Sequence, residues 1–302
     1  MRRRRILTLA LSLLVLILAA AGLFAWRFPL FTGNLVLGSF RALPAGLRGS
    51  PTAWSVARQL LLWQYRDKMP EEVKKAKQGR FGREKEFLIV ALGDSTTRGV
   101  QISAVNAWPF QLQQRITRSV RGGVRVVNAG IPGETAPQGY RRLERDVLSL
   151  KPDLVIVGYL INDSRSFGVD ATGRPRVLIE YDDYLAAFAK IFAALKEAGI
   201  PVLVFTCHPL QPAFFHGQPE EIQIVQNMML AARLDGLRNL CQQWQVPLAD
   251  TFAAIQADPD QADLYLRDGM HLNEVGHRRV AEWIQQKWLE IFWPAWRDRQ
   301  PE

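Results

Sequence analysis

Ser95 closes the segment Phe87-Leu-Ile-Val-Ala-Leu-Gly-Asp-Ser95, where an unbroken apolar run stops at Gly93-Asp94. A serine hydroxyl is a weak nucleophile until a nearby base takes its proton, and histidine is the side chain that titrates in the right range. The chain has four histidines, His208, His216, His271 and His277. His271 has a carboxylate three residues earlier, in Asp268-Gly-Met-His271, with Gly269 letting the loop fold back. Asp268 is then able to hold the imidazole in the tautomer that accepts a proton from serine. A serine on a strand tip with a histidine and an aspartate on a late loop supplies the groups for hydrolysis through an acyl-enzyme. The other histidines read differently. His277 lies inside a helical pattern and reads as a surface residue. His208 either lines the same cleft or, beside Pro209, belongs to a structural loop. His216 falls among prolines and aromatics and reads as a rim residue.

Two further segments end apolar runs. Asn128-Ala-Gly-Ile-Pro-Gly133-Glu-Thr135 is either an ordinary strand-to-helix turn with Thr135 as a cap, or a turn in which Gly133 presents its N–H to a developing oxyanion. Asn162-Asp163-Ser164 is either a turn rich in capping residues or a source of a side-chain amide donor at Asn162. One such donor typically contributes about 3 to 4 kcal/mol of transition-state stabilisation.

The elements that must position these residues alternate. Apolar runs at 87–92, 124–128, 154–159, 202–205 and, more weakly, 246–249 read as strands. Helical patterns fall at about 107–121, 135–149, 181–198, 220–244 and 273–291. Strands alternating with helices predict a parallel sheet covered on both faces, with the active site at the carboxyl ends of the strands.

Gly-Asp-Ser at 93–95, Pro-Gly-Glu-Thr at 132–135, Asn162-Asp163 and Asp-Gly-Met-His-Leu-Asn at 268–273, in this order, resemble the SGNH branch of the GDSL esterase and lipase family. The resemblance covers residues 86 to 291. It implies a flavodoxin-like three-layer α/β/α sandwich with a parallel five-stranded sheet and no metal or organic cofactor. It also implies roles: Ser95 as nucleophile, His271 as general base, Asp268 orienting His271. The backbone N–H groups of Ser95 and Gly133, with the Asn162 side chain, would form the oxyanion hole. One position departs from the family pattern: a glycine is usual two residues before the asparagine, and here it is Leu160, with Gly158 further upstream. A leucine there would narrow the cleft or shift Asn162.

Arg2 to Arg5 precede an apolar run from Ile6 to Trp26 in which only Thr8 and Ser12 are polar. As a helix it would span roughly 31 Å, about the thickness of a hydrocarbon core, with the arginines on the cytoplasmic side. It reads as an uncleaved signal anchor, the apolar character continuing through Phe31; the alternative is a signal peptide cleaved near Ala19-Ala20-Ala21 and a secreted body. The expected division is therefore an anchor at 1–31, a connecting region at 32–85 and a catalytic domain at 86–302. In the connecting region, Trp54 to Tyr65 reads as a short amphipathic helix, and the lysine-rich 71–85 as a solvated stalk or a segment lying on anionic headgroups. Trp283, Trp288, Trp293 and Trp296 read as core and helix-edge residues, or as residues of a membrane interface.

Composition narrows the field. With 48% hydrophobic and 22% charged residues the chain can bury a core. The formal charge is +9, but setting aside Arg2 to Arg5 and Arg27 leaves 33 of the 38 basic residues against 29 acidic ones, too mild an excess for nucleic acid. Cys207 and Cys241 have no metal-ligand spacing and read as buried free thiols. The expected substrate is an ester of an envelope carbohydrate or lipid, and the segment Pro209 to Pro219 is either an acyl-chain rim or local packing. An O-acyltransferase on the same scaffold and a silent envelope-binding module are the competing readings. A nucleotide-binding domain is a weaker reading still, since no glycine-rich phosphate loop follows the first strand.

Overall fold

A computed structural model of the chain describes residues 51–63, 68–79, 86–119, 123–170 and 172–294. The expected anchor at 1–31 lies outside the described residues; among them no helix is long and apolar enough to cross a membrane. The described residues fall into two compact units. One contains α1 (Pro51–Trp63), which buries Ala57 and Leu61 four residues apart and exposes Gln59, as an amphipathic helix does, although Val56 is exposed as well.

The other unit carries the sheet. Its order is α2 (Glu71–Lys77), β1 (Glu86–Gly93), α3 (Ser95–Arg98), α4 (Trp108–Ser119), β2 (Gly123–Gly130), α5 (Ala136–Arg141), α6 (Leu143–Asp146) and β3 (Leu154–Gly158). The chain next forms β4 (Ser166–Val169) and β5 (Pro175–Val177), of which residues 169–176 belong to the unit of α1; back in the sheet unit come α7 (Tyr181–Glu197), β6 (Val202–Phe205), α8 (Glu220–Gln243), β7 (Leu248–Ala249), α9 (Thr251–Gln256) and α10 (Glu274–Ile291). Five strands form one parallel sheet in the order β2-β1-β3-β6-β7. Ile89 to Leu92 and Leu154 to Val157 are buried without a break, which is why both strands read as continuous apolar runs. The weak fifth run yields only Leu248 and Ala249. The expected helix at 135–149 divides at Arg142, whose backbone leaves helical values (φ −102°, ψ 3°).

From β1 the chain steps one way to β2 and the other way to β3, β6 and β7. Parallel crossovers are right-handed, so this reversal sends helices to opposite faces. The packing agrees: α4 pairs with α10, while α7 packs against α5 and α8. The reversal also opens a crevice at the carboxyl ends of β1 and β3, the place where ligands bind in sheets of this order.

Three glycines end neighbouring strands there in register, Gly130 beside Gly93 beside Gly158. A Cβ on Gly93 would stand 2.7 Å from the Gly158 carbonyl, and one on Gly130 would stand 2.4 Å from the Arg98 nitrogen. Gly93 and Gly130 have to be bare for α3 to sit down on the strand tips, and Gly158 has to be bare for the Phe205 ring to pack against it.

The outer edge of β2 is closed by side chains. The N–H groups of Val126, Asn128 and Gly130 donate to Gln113 Oε1 (3.0 Å), Glu72 Oε2 (2.8 Å) and Asn128 Oδ1 (2.9 Å). Glu72 belongs to α2, which packs on β2 and buries Val73 and Ala76 while its lysines stay exposed. The described part of the charged segment expected as a solvated stalk or a headgroup-binding stretch, 71–79, is thus solvated on one face only. Trp288 is fully buried, edge-on to Phe87 at 5.9 Å, so this tryptophan belongs to the core. In the hairpin β4–β5, Asp170 Oδ1 accepts from Thr172 N, Thr172 Oγ1 and Arg174 N, and these bonds hold its carboxyl below the usual range.

Candidate active site

Ser95 is the first residue of α3 and is half-buried. Asp94 caps the helix, its Oδ1 accepting from Thr96 N at 2.9 Å. Burial pushes the Asp94 carboxyl up to about 7; hydrogen bonds from Thr96 oppose the shift and nearby Glu134 adds to it. Among the described residues, the Ser95 N–H donates to no protein acceptor and its Oγ makes no hydrogen bond, to His271 or otherwise.

Asp268 and His271 meet as their spacing predicts. Asp268 Oδ2 lies 2.6 Å from His271 Nδ1, and Oδ1 accepts from the N–H groups of Met270 (3.0 Å) and His271 (2.9 Å). Gly269, at φ 65°, makes the fold-back possible; a Cβ there would meet Phe214 N at 2.4 Å. Burial raises the Asp268 carboxyl, but the bonds from the His271 side chain and from the two backbone N–H groups outweigh it and hold it below the ordinary value. A carboxylate on Nδ1 leaves Nε2 to face a substrate. Gln101 and Asn106, from the loop after α3, reach across to Asp268 Oδ2 (3.3 Å) and Glu274 Oε1. These bonds join the segment carrying Ser95 to the one carrying His271.

The turn after β2 is Ile131-Pro132-Gly133-Glu134, closed by Glu134 N donating to Ile131 O at 3.1 Å, with Gly133 at φ 81°. Proline at the second position and positive φ at the third make a type II turn, which favours glycine. The Gly133 N–H, like that of Ser95, donates to no acceptor among the described residues. Thr135 precedes α5, and its N–H and Oγ1 both donate to Gln138 Oε1.

Asn162 is buried, and its Nδ2 donates to Glu134 O at 3.0 Å and to Asp94 Oδ2 at 3.2 Å. Both amide hydrogens are therefore directed between the turn of Gly133 and the cap of α3. Asp163 Oδ1 accepts from Ala136 N, tying β3's end to α5. Leu160 is fully buried and its carbonyl accepts from Ser164 N and Oγ, so its side chain belongs to the core.

Beneath this side lies a charged cluster that the sequence did not disclose. Arg142 Nε donates to Glu134 Oε1 at 2.8 Å, Nη1 to Asp146 Oδ2 at 3.2 Å and Nη2 to Ala129 O at 2.6 Å; Tyr159 Oη donates to Glu134 Oε2 at 2.6 Å. Burial works against the Arg142 charge, but Glu134, with Tyr159 and Asp146, overrides it and keeps the guanidinium protonated. The cluster pins Glu134, and Glu134 in turn fixes the Gly133 turn and the Asn162 amide.

His277, expected at the surface, is buried. Its Nδ1 accepts from Trp108 N at 3.2 Å, satisfying an N–H that the first turn of α4 leaves without a partner. The helical pattern gave its face but not the helix packed against that face. Burial lowers its pKa to about 3. His208 is also buried, at the end of β6, and lowered to about 4 by burial. His216 is exposed, while Phe215 is buried and Phe214 half-buried. Cys207 and Cys241 are buried free thiols. A groove of about 430 Å³ lined by Phe110, Gln114, Arg115, Arg118 and Arg278 lies along α4 and α10 and contains none of these candidate residues.

The pattern of the GDSL-like Lipase/Acylhydrolase family matches residues 91–279, which span the Ser95 strand end through the His271 loop. The chain belongs to that family. It is a GDSL-type hydrolase, of the esterase and lipase class, and the motif resemblance is borne out. It is similar to "Uncharacterized lipoprotein YqeF" of Bacillus subtilis (strain 168), 27% identical over 65% of this chain and 87% of that protein. It is also similar to "GDSL esterase/lipase WDL1" of Oryza sativa subsp. japonica, 28% identical over 48% of this chain and 56% of that one. Its fold is shared with a lipase/acylhydrolase from Enterococcus faecalis (TM-score 0.55, 21% identity, 67% of this chain and 94% of the other). The acetyl xylan esterase AlAXEase is similar too (TM-score 0.51, 23% identity, 68% and 100%).

Proposed function

We propose that this GDSL-type hydrolase cleaves a carboxylic ester through an acyl-Ser95 intermediate. The observation that carries the reading is the Asp268–His271 contact at 2.6 Å on a loop bonded to the segment that bears Ser95. His271 Nε2 takes the Ser95 hydroxyl proton as Oγ bonds to the ester carbon. The resulting oxyanion is received by the free N–H groups of Ser95 and Gly133 and by the Asn162 amide, which gives up its 3.2 Å contact with Asp94. The carbon–alkoxy bond then breaks and His271 returns the proton to the departing alcohol. A water molecule, deprotonated by His271, attacks the acyl carbon and releases the acid, restoring Ser95.

The proposed substrate is an acetyl or acyl ester of an envelope carbohydrate or lipid. The proposed organisation is an anchor at 1–31, a connecting region at 32–85 and an extracytoplasmic catalytic domain at 86–302. Support comes from the arginine-flanked apolar run and from the similarity to a protein named as a lipoprotein. The test is hydrolysis of p-nitrophenyl esters from acetate to palmitate by the full chain in detergent, beside its Ser95→Ala form. Serine-dependent turnover supports the acyl-enzyme. A preference for acetate points to deacetylation, and one for long chains to lipid. Transfer to an added sugar in place of hydrolysis identifies an acyltransferase. Activity that survives Ser95→Ala refutes the proposal.

A further inference from the structure

We propose that His208 is a positioning residue for the nucleophile, acting through the hydroxyl of Thr96. The inference rests on the acyl-Ser95 reading. Thr96 Oγ1 lies 3.3 Å from His208 Nε2, and His208 Nδ1 lies 3.1 Å from Pro209 O. A carbonyl oxygen only accepts, so the ring proton sits on Nδ1 and Nε2 presents its lone pair to the Thr96 hydroxyl, which donates. Thr96 is consequently held from two sides, its N–H by Asp94 and its hydroxyl between His208 Nε2 and the Asp94 carboxyl, two acceptors for one hydroxyl proton. It is the residue after Ser95, so this double tether sets the pitch of the turn that aims the Ser95 hydroxyl and N–H.

The fold goes to some length to put the imidazole there. Cys207, just before it, has φ 58°, in the left-handed region that a non-glycine residue seldom adopts. Thr251 Oγ1 donates to the Cys207 carbonyl at 2.7 Å and holds that bend in place. Strain of this kind, over-determined by its surroundings, clusters at functional sites. On the far side, Tyr265 Oη donates to the same Pro209 carbonyl at 2.8 Å and its ring meets the His208 ring edge-on at 5.6 Å. Tyr265 pairs with Leu272, and between them run Asp268 and His271. His208 therefore stands as a rigid spacer between the turn that carries Ser95 and the loop that carries its base. Burial keeps it neutral at working pH, as an acceptor for Thr96 must be.

The test uses the full chain with Thr96→Val, which keeps the shape and removes the hydroxyl, and Thr96→Ser, which restores it. Two readouts are taken: ester turnover, and the rate at which a phosphonate ester labels Ser95, which reads nucleophile alignment without turnover. Thr96→Val is expected to lower kcat and the labelling rate together by about tenfold with little change in KM. Thr96→Ser is expected to recover most of both. His208→Asn, which can still donate to Pro209 O but does not reach Thr96, gives the same loss, and the double variant is no worse than the singles. It also serves as the reading if Thr96→Val does not fold. Labelling and kcat unmoved by Thr96→Val, or a loss that Thr96→Ser does not recover, overturns the inference while leaving the esterase reading intact. Absence of both hydrolysis and labelling in the unsubstituted chain refutes both.

Discussion

The two halves of the candidate site are built on opposite plans. The Asp268–His271 half is a single loop in which partners stand three residues apart, glycine permits the bend, and the carboxylate is about a third exposed. The Asn162 half is assembled from the ends of β1, β2 and β3, and beneath it lie Arg142, Glu134, Asp146 and Tyr159, all buried. A hydrogen bond between a part-exposed carboxylate and an imidazole adds little to stability, whereas removing one member of a buried cluster leaves the others charged and unpaired. The first half is therefore free to change protonation during a reaction at small structural cost, while the second supplies fixed dipoles and is costly to disturb.

Substitutions on the two sides should separate rate from stability. Asp268→Ala is expected to lower kcat by about 10⁴-fold while the urea midpoint stays near that of the parent. A large loss of stability would erase the distinction between the halves. Arg142→Leu is expected to do the reverse first, costing about 3 to 5 kcal/mol in urea unfolding, because Glu134 and Asp146 lose their cation. Asn162→Ala tests the boundary between them, with an expected loss of about 3 kcal/mol in kcat and less in KM. An unchanged kcat would mean that the amide stays with Asp94 and Glu134 and serves only the fold.

The smallest effect is on pH-dependent stability. His277 is lowered to about 3 in the fold, against about 6.5 in an unfolded chain. Between those values the unfolded state binds the extra proton, so this stabilisation is complete above about pH 6.5 and is lost as pH falls toward 3. Asp94, raised to about 7, works in the opposite sense, losing stability as pH rises from about 4 to 7. His277→Gln should therefore lose less stability than the parent between pH 7 and pH 5, by roughly 2 kcal/mol, as read from urea midpoints. Equal losses would place the pH response elsewhere, on the carboxylates of the buried cluster.

What the sequence disclosed follows the same division. Strands β1, β2, β3 and β6 announced themselves as apolar runs, and Asp268-Gly-Met-His271 was legible because its geometry is local. Arg142 was not, since its partners lie on a turn, on the short helix that follows it and just past the end of β3, and only the fold brings them together. His277 and His208 were misplaced or left open for the same reason: their partners Trp108 and Thr96 are 169 and 112 residues away. The hairpin at 166–177 has short strands around an Asp170 turn, too brief for an alternation to register.

The edge of β2 has a practical consequence. An open strand edge recruits other chains, and here three successive outward N–H groups already have acceptors from the protein's own side chains. The middle acceptor, Glu72, precedes the sheet in the chain. A fragment begun at residue 86 would keep every candidate catalytic residue and uncover the Asn128 N–H in the middle of that row. Such a fragment should pass activity assays at low concentration and self-associate at high concentration, whereas one begun at residue 68 keeps Glu72 and should stay dispersed.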